Sequence, residues 1–162
     1  MELAEWKDFF VATAGAAAGL AGLIIVAMSV NIETIVAEKS LPSRAATTIA
    51  GLILVVVAAV AGLIPNLSHV GYGTVLIVGS LAAWYIATES GVRIVRAGGS
   101  PSVFAAVAKS AVGVLPALLV VIAGVLVLVD VASGLDLLAA GILLAFIGSV
   151  LNAWVLLVEI RR

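Results

Sequence analysis

Charged residues are clustered in this chain, and long apolar stretches separate the clusters. Asp, Glu, Lys and Arg are missing from four stretches, residues 9–32, 45–88, 110–129 and 137–158. A helix that crosses the hydrocarbon core of a bilayer, which is about 30 Å thick, needs about 20 apolar residues. Three of the stretches fit one such helix each. The 44 residues of 45–88 would extend about 66 Å as one helix, and they therefore predict two.

The pattern predicts an all-α fold, a polytopic transmembrane bundle that forms a single domain over residues 1–162. Residues that start or stop helices stand between the apolar stretches, such as Pro42, Pro65 and the Gly-Gly-Ser-Pro run at 98–101. The first helix is expected to continue past the membrane to about Glu38. The five predicted spans are residues 9–30, 45–64, 74–90, 111–129 and 135–158.

Composition supports the membrane assignment. Of the 162 residues, 64% are hydrophobic and 10% are charged, and the mean hydropathy is +1.35. Soluble domains are about 45–50% apolar and about 25% charged. The formal net charge of −1 gives no reason to expect a nucleic-acid partner, so membrane lipid is the expected surroundings. The first eight residues carry three acidic residues and one lysine, unlike the basic start of a signal peptide, so the first span is expected to be retained.

Basic residues predict the orientation, because Lys and Arg accumulate in cytoplasmic loops. With five spans, seven of the eight basic residues fall on the side that carries the C-terminus, and Lys7 alone falls on the other side. The prediction is an N-terminus outside, a C-terminus inside and a multi-pass protein of the plasma membrane. Aromatic residues at the predicted outer boundary are typical of an interfacial belt, namely Trp6, Phe9, Phe10 and Tyr72.

One motif, Val70-Gly-Tyr-Gly73, is close to the T-V-G-Y-G loop of potassium-channel filters. Such a filter follows a re-entrant pore helix, and only Asn66–His69 separates Val70 from the end of the second predicted span. That segment is too short for a pore helix. We therefore expect Gly71-Tyr72-Gly73 to form a glycine-rich hairpin turn, since glycine adopts the positive φ of tight turns.

The first predicted span carries a stripe of small residues. Gly15 and Gly19 form a GxxxG pair, which Ala18 and Gly22 extend. Lipid tails are as apolar as leucine, so helices in a bilayer associate where small residues let their backbones approach. This stripe is expected to pack against another helix. Two partners remain open: span 2 or span 5 of the same chain, or a helix of a second chain.

Few polar residues lie within the predicted spans, and an ionisable residue inside a membrane is a functional hypothesis by default. Glu89 precedes Arg93 by four positions, which places both on one helix face, so an ion pair at the helix end is the structural alternative. Asn152 is expected to hydrogen-bond a neighbouring helix or its own backbone. Trp84 and Tyr85 are expected to fill the bundle core.

Catalytic machinery is sparse in the sequence. The chain has no cysteine and one histidine, and it has no Ser-His-Asp spacing, no H-E-x-x-H motif and no phosphate-binding glycine loop. Asn66, His69, Asp130 and Asp136 gather at one predicted membrane face, yet their spacing matches no metal motif. We expect no enzyme, no metal site and no cofactor.

The N-terminal third resembles a family of small integral membrane proteins that is common in actinobacteria. Its members combine a W-x-D-F-F start, a small-residue first span, a V-x-x-S-x-N exit and an L-P-x-R-A restart, which correspond here to residues 6–36 followed by 41–45. Some members carry the label modulator of FtsH protease. The resemblance implies a plasma-membrane protein, and by position it points to a corner between the first two spans. The matched positions are Trp6, Asp8, Ser29, Asn31, Pro42 and Arg44.

Together these features predict a non-enzymatic integral membrane protein. It would act as an assembly or regulatory subunit through helix–helix packing, in a homo-oligomer or with a membrane-protein partner. The alternative is a small oligomeric ion channel or transporter, with a pore lined by the Gly and Ala residues of the first span.

Overall fold

The computed structural model describes residues 3–37, 41–96 and 103–159, and the regular structure in these ranges is helical throughout. A short 3-10 turn, Leu3–Trp6, leads into the first helix. The helices are α1 Lys7–Val30, α2 Ile32–Ala37, α3 Leu41–Gly62, α4 His69–Arg96, α5 Val103–Leu128 and α6 Ser133–Glu159. Among the described residues, four helices are long and apolar enough to cross a membrane, and Val114–Leu128 of α5 is a shorter apolar helix. The all-helical class is confirmed, with four to five helices that could span a membrane.

The long helices run antiparallel to their neighbours along the chain, and contacts at their ends show how they meet. The end of α3 meets the start of α1, where Gly62 lies against the ring of Phe10. The start of α4 meets the end of α5, where Gly73 faces the backbone of Leu128. We call this the Phe10 end of the bundle. The other end, where α3 begins and α6 finishes, is called the Asn152 end.

The packing order places α1 at the edge of the bundle. The closest pairs are α4 with α5 and α5 with α6, and α3 packs against α1, α4 and α6. In contrast, α1 packs along α3 and touches α6 at few positions. Four helices, α3 to α6, therefore form the centre of the bundle, and one side of α1 is left without a neighbour from the described chain.

The Phe10 end is closed by two aromatic side chains. Phe10 and Tyr72 are both fully buried, and their ring centroids lie 6.0 Å apart in an edge-to-face arrangement. The Tyr72 hydroxyl donates a hydrogen bond to the backbone carbonyl of Ala58, at 3.0 Å. The prediction that these two residues belong to an interfacial aromatic belt is wrong, because their rings lock α1, α3 and α4 together inside the bundle.

The glycine-rich motif does not form a turn. Helix α4 begins at His69, so Gly71, Tyr72 and Gly73 lie in its first two turns. The chain reverses earlier, in residues 63–68, where Asn66 adopts a positive φ of 57°. The predicted hairpin turn at Gly71-Tyr72-Gly73 is therefore wrong. The helical backbone also differs from the extended carbonyl ladder of a potassium filter.

Gly73 allows two helices to approach each other closely and does not form a turn. A Cβ atom added to Gly73 would lie 2.8 Å from the carbonyl oxygen of Gly124 and 3.0 Å from the backbone nitrogen of Leu128. A Cβ added to Gly124 would in turn lie 3.2 Å from the carbonyl oxygen of Gly73. The two glycines face each other, so α4 and α5 approach backbone to backbone, as small residues allow between membrane helices.

The first helix was expected to continue to about Glu38, which lies outside the described residues; α1 ends at Val30, Asn31 interrupts the helix, and α2 continues it to Ala37. The Asn31 backbone N–H donates to the Met28 carbonyl, and its side-chain amide donates to the Ala27 carbonyl at 2.8 Å. A polar side chain that bonds the last helical carbonyls competes with continued helix. The short α2 follows and packs Ile35 against Ala45 at the start of α3.

Other boundaries and side-chain positions also differ from the sequence-based expectation. Helix α4 begins five residues before the predicted start of the third span, and α5 begins eight residues before that of the fourth. Trp84 and Tyr85 were expected in the core, but Trp84 is 37% exposed and Tyr85 is 69% exposed. This prediction is wrong because the inward side of α4 carries small residues there, Ala83 and Ala87, which are buried.

Candidate functional site

Helix α1 has two opposite faces of different character. At about 100° per residue, the buried positions fall together on one side of the helix. That side packs against α3 and carries Phe10, Thr13, Ala17 and Ile24. The predicted stripe of small residues lies on the other side, and all four of its members are exposed: Gly15, Ala18, Gly19 and Gly22. We call these four residues the open face of α1.

The open face has no neighbour within the described chain. A Cβ atom added to Gly15, Gly19 or Gly22 would meet no other heavy atom within 4 Å. Of the two packing partners left open by the sequence, α3 and α6 of the same chain therefore do not cover this face. The physical reason is that α3 takes the side of α1 that offers Phe10 and Ile24, whose burial removes far more apolar surface than glycine can.

Large apolar side chains continue the open face toward the Asn152 end. Leu23, Val26 and Val30 are 71%, 62% and 78% exposed. Exposed apolar surface of this kind suits lipid as well as another helix, so these residues alone do not select a partner. The glycines are more selective, because a bare backbone gains little from lipid and allows close approach of a second helix.

Asn31 lies at the exit of α1, where its amide caps the end of the helix. Ser29 donates its hydroxyl hydrogen bond to the Ile25 carbonyl at 2.9 Å. Both side chains are thus engaged with their own helix. Their arrangement ends α1 and redirects the chain into α2.

The predicted ion pair between Glu89 and Arg93 is not tested by the structure. Glu89 is exposed near the far end of α4 and takes part in an interaction with its surroundings. The side chain of Arg93 lies outside the described residues, so the ion pair stays a prediction.

A cavity lies among the four central helices, on the side of the bundle toward the Asn152 end. Its volume is about 30 Å³. The walls are mostly small or apolar residues of α3, α4, α5 and α6, and Pro116 contributes from α5. Polar side chains gather at one corner of the cavity: Thr47 and Thr48 from α3, and Ser149 and Asn152 from α6.

The corner brings Asn152 together with a residue that sequence analysis missed. Ser149 is 4% exposed and lies within 4.0 Å of the position that a Cβ on Gly51 would take. Within the described part of the chain, no hydrogen bond satisfies the Ser149 hydroxyl or the Asn152 amide. The expectation that Asn152 hydrogen-bonds a neighbouring helix or its own backbone stays a prediction. The signal for Ser149 was its position three residues before Asn152, on the same helix face.

Ionisable groups do not converge inside the bundle. The buried polar side chains in the described ranges are Thr13, Thr48, Ser80 and Ser149, and none of these is an acid or a base. No three His, Asp or Glu residues come together there in an arrangement that could hold a metal ion. The geometry thus directs attention to the open face of α1 and to the cavity.

Comparison of the chain with protein-family models, with curated proteins and with solved structures gave no match. The resemblance of residues 6–45 to a small bacterial membrane family stays a prediction. The function is therefore argued from the geometry above.

Proposed function

We propose that this chain is a five-span protein of the plasma membrane that associates with a second copy of itself through α1, and so serves as an assembly or regulatory subunit without enzymatic activity. The observation that carries the proposal is the open face of α1. Two glycines one helical turn apart, turned away from the chain's own core, have a physical use only where a second helix approaches.

The five-span arrangement is supported by the lengths of the helices. Helix α5 has 26 residues, or about 39 Å of helix, which exceeds the hydrocarbon thickness of about 30 Å. With α5 counted as a span, the sequence alone assigns Lys7 to the side of the N-terminus and the other seven basic residues to the opposite side. The excess of Lys and Arg favours the Asn152 end as the cytoplasmic side, with the N-terminus outside.

A second copy is the simplest occupant of the open face. In a two-fold symmetric pair, the same patch serves both partners, so one small-residue stripe is sufficient to form the contact. Ala18 and Gly22 extend the stripe beyond the Gly15–Gly19 pair. A different membrane protein with its own small-residue helix remains the other outcome of the test.

Cysteine cross-linking tests this proposal directly, because the chain contains no cysteine of its own. We expect Gly15→Cys and Gly19→Cys variants to form disulfide-linked dimers in native membranes under mild oxidation. Cβ atoms about 3.5–4.5 Å apart are required for the bond, so only close helix approach gives the product. Non-reducing gel electrophoresis measures the dimer fraction.

Ala82→Cys is the matched control, because Ala82 is also a small exposed residue but lies on α4. The proposal requires little dimer from this variant at equal expression. Equal cross-linking at Ala82 and Gly15 would indicate random collision and would contradict a defined α1 interface. Cross-linking of Gly15→Cys to a different protein would show that the partner of α1 is another membrane protein and not a second copy of this chain.

The channel or transporter alternative rests on the same open face, since several copies of α1 could surround a pore lined by Gly and Ala. We expect purified protein in liposomes to conduct no ion above the level of empty liposomes, because the open face offers no polar side chain to replace an ion's hydration shell. Fluorescent flux assays for K⁺, Na⁺ and H⁺ measure this. A defined flux that Gly15→Leu abolishes would favour the channel.

A further inference from the structure

The cavity among α3, α4, α5 and α6 is a second site, independent of the open face of α1. It runs along the helices, since its lining extends from Thr47 to Ala58 on α3, or about 16 Å. The half toward Ala58 is apolar, and the half toward the Asn152 end holds all of its polar side chains.

Two of these polar groups have no hydrogen-bond partner among the described residues, although one is buried and the other is half-buried. Ser149 is 4% exposed, and Asn152 is half-buried on the same face of α6. Among the described residues, every side-chain N or O atom that is fully enclosed has a hydrogen-bond partner. The Ser149 hydroxyl has no such partner, so it must face the open space of the cavity. A polar group without a partner is unfavourable in a membrane, where lipid supplies no hydrogen bond.

Further hydrogen-bonding capacity borders the same corner. Thr47 and Thr48 already interact with their surroundings, but a hydroxyl that donates one bond keeps lone pairs that can accept another. Pro116 lines the cavity from inside α5.

The chemistry of the corner selects a neutral ligand. The described residues that line the cavity include no Asp, Glu, Lys, Arg or His, so a bound ion would find no compensating charge among them. Its volume of about 30 Å³ suits very small molecules, since one water needs about 10–15 Å³ of such space. Water can both donate and accept hydrogen bonds, and the hydroxyl and amide groups of this corner include both donors and acceptors.

We propose that the cavity binds one or two ordered water molecules, which connect Ser149 and Asn152 of α6 to the threonine corner of α3. The water satisfies the two unbonded side chains of α6 and joins α3 to α6 by hydrogen bonds through the bundle centre. Bound water with two to four polar partners is an integral part of many folded proteins.

X-ray radiolytic labelling of the whole protein tests the proposal, because hydroxyl radicals form from the bound water itself and oxidise adjacent side chains. The chain supplies matched pairs on single helices. Leu54 lines the cavity and Leu52 does not, and both are buried in α3. Val120 and Val127 form the same kind of pair in α5. We expect several-fold more labelling of Leu54 than of Leu52, and of Val120 than of Val127.

A double variant, Ser149→Val with Asn152→Leu, removes the polar groups and fills the space. We expect its labelling at Leu54 and Val120 to fall to the level of Leu52 and Val127. Equal labelling within the pairs of the unmodified protein would overturn the proposal without any variant. Unchanged labelling in a monodisperse double variant would overturn it as well.

Discussion

Gly73→Ala is expected to destabilise the bundle by about 1–3 kcal/mol, the range for overpacking of a close-packed site. The added methyl would lie 2.8 Å from the Gly124 carbonyl oxygen and 3.0 Å from the Leu128 nitrogen. Both atoms belong to the backbone, so no side chain can rotate away, and α4 and α5 must separate. A larger residue, as in Gly73→Val, is expected to prevent recovery of monodisperse protein.

Gly71 provides a control within the same turn of α4. A Cβ at Gly71 would meet flexible side-chain atoms, Leu67 Cδ1 at 3.0 Å and the Ser68 hydroxyl at 3.3 Å. Those side chains can give way, and alanine favours helix over glycine by about 1 kcal/mol. We expect Gly71→Ala to be neutral or slightly stabilising. Thermal unfolding in detergent, followed by size-exclusion chromatography, measures both variants, and equal melting temperatures would contradict the close approach at Gly73.

The glycine motif shows what a sequence can indicate and where it is ambiguous. Glycine serves two physical purposes, a positive φ that other residues avoid and a missing side chain that lets backbones meet. At Gly73 the missing side chain is what matters. The sequence of the motif does not distinguish this use of glycine from its use in a turn. The turn itself lies at Asn66, whose positive φ comes four residues after α3 ends at Gly62.

Aromatic residues carry a similar ambiguity in an apolar chain. In a soluble protein, a Phe is expected in the core because the surface is mostly polar. In a membrane protein the lipid-facing surface is also apolar, so the residue type does not indicate burial. The sequence therefore could not tell that Phe10 is buried while Trp84 faces outward. Helix existence was predictable because the uncharged stretches match the bilayer thickness. The inward direction of each helix depends on packing between helices far apart in sequence.

The stripe of small residues stands out in the sequence as a packing face, but the sequence does not identify its partner. The packing rule for membrane helices is the same within a chain and between chains. Only the position of α3 against Phe10 and Ala17 shows which side of α1 the chain itself occupies. Similarly, Asn152 stood out as a polar residue, while its location beside a cavity depends on how α3 and α6 approach each other near Gly51.

The edge position of α1 and the closed centre of α3 to α6 have a joint consequence for function. The central helices pack their small residues against each other, as Gly73 packs against Gly124. In α1, by contrast, the open face is unused by the chain. A variant of the open face should therefore alter association without altering the fold, which separates the proposed function from structural stability.

The double variant Gly15→Leu with Gly19→Leu is expected to convert the oligomer into monomers. Two leucine side chains would hold the second helix away from the α1 backbone and remove the close contact on which association depends. We expect the dissociation constant to rise about tenfold or more, equivalent to about 1.4 kcal/mol. Multi-angle light scattering in mild detergent and energy transfer between labelled copies in vesicles measure the change.

Compared at a dilution in detergent at which the unmodified protein is also monomeric, stability should stay constant or increase in this double variant, because no atom lies within 4 Å of either new Cβ and leucine favours helix over glycine. Ala82→Leu on α4 is the matched control, since it adds a leucine to another exposed small position and should leave the mass unchanged. An oligomer that survives Gly15→Leu with Gly19→Leu would contradict association through α1. A variant that melts at a lower temperature than the unmodified protein when both are monomeric would instead assign the glycines a role within the chain, because loss of association cannot explain a difference between two monomers.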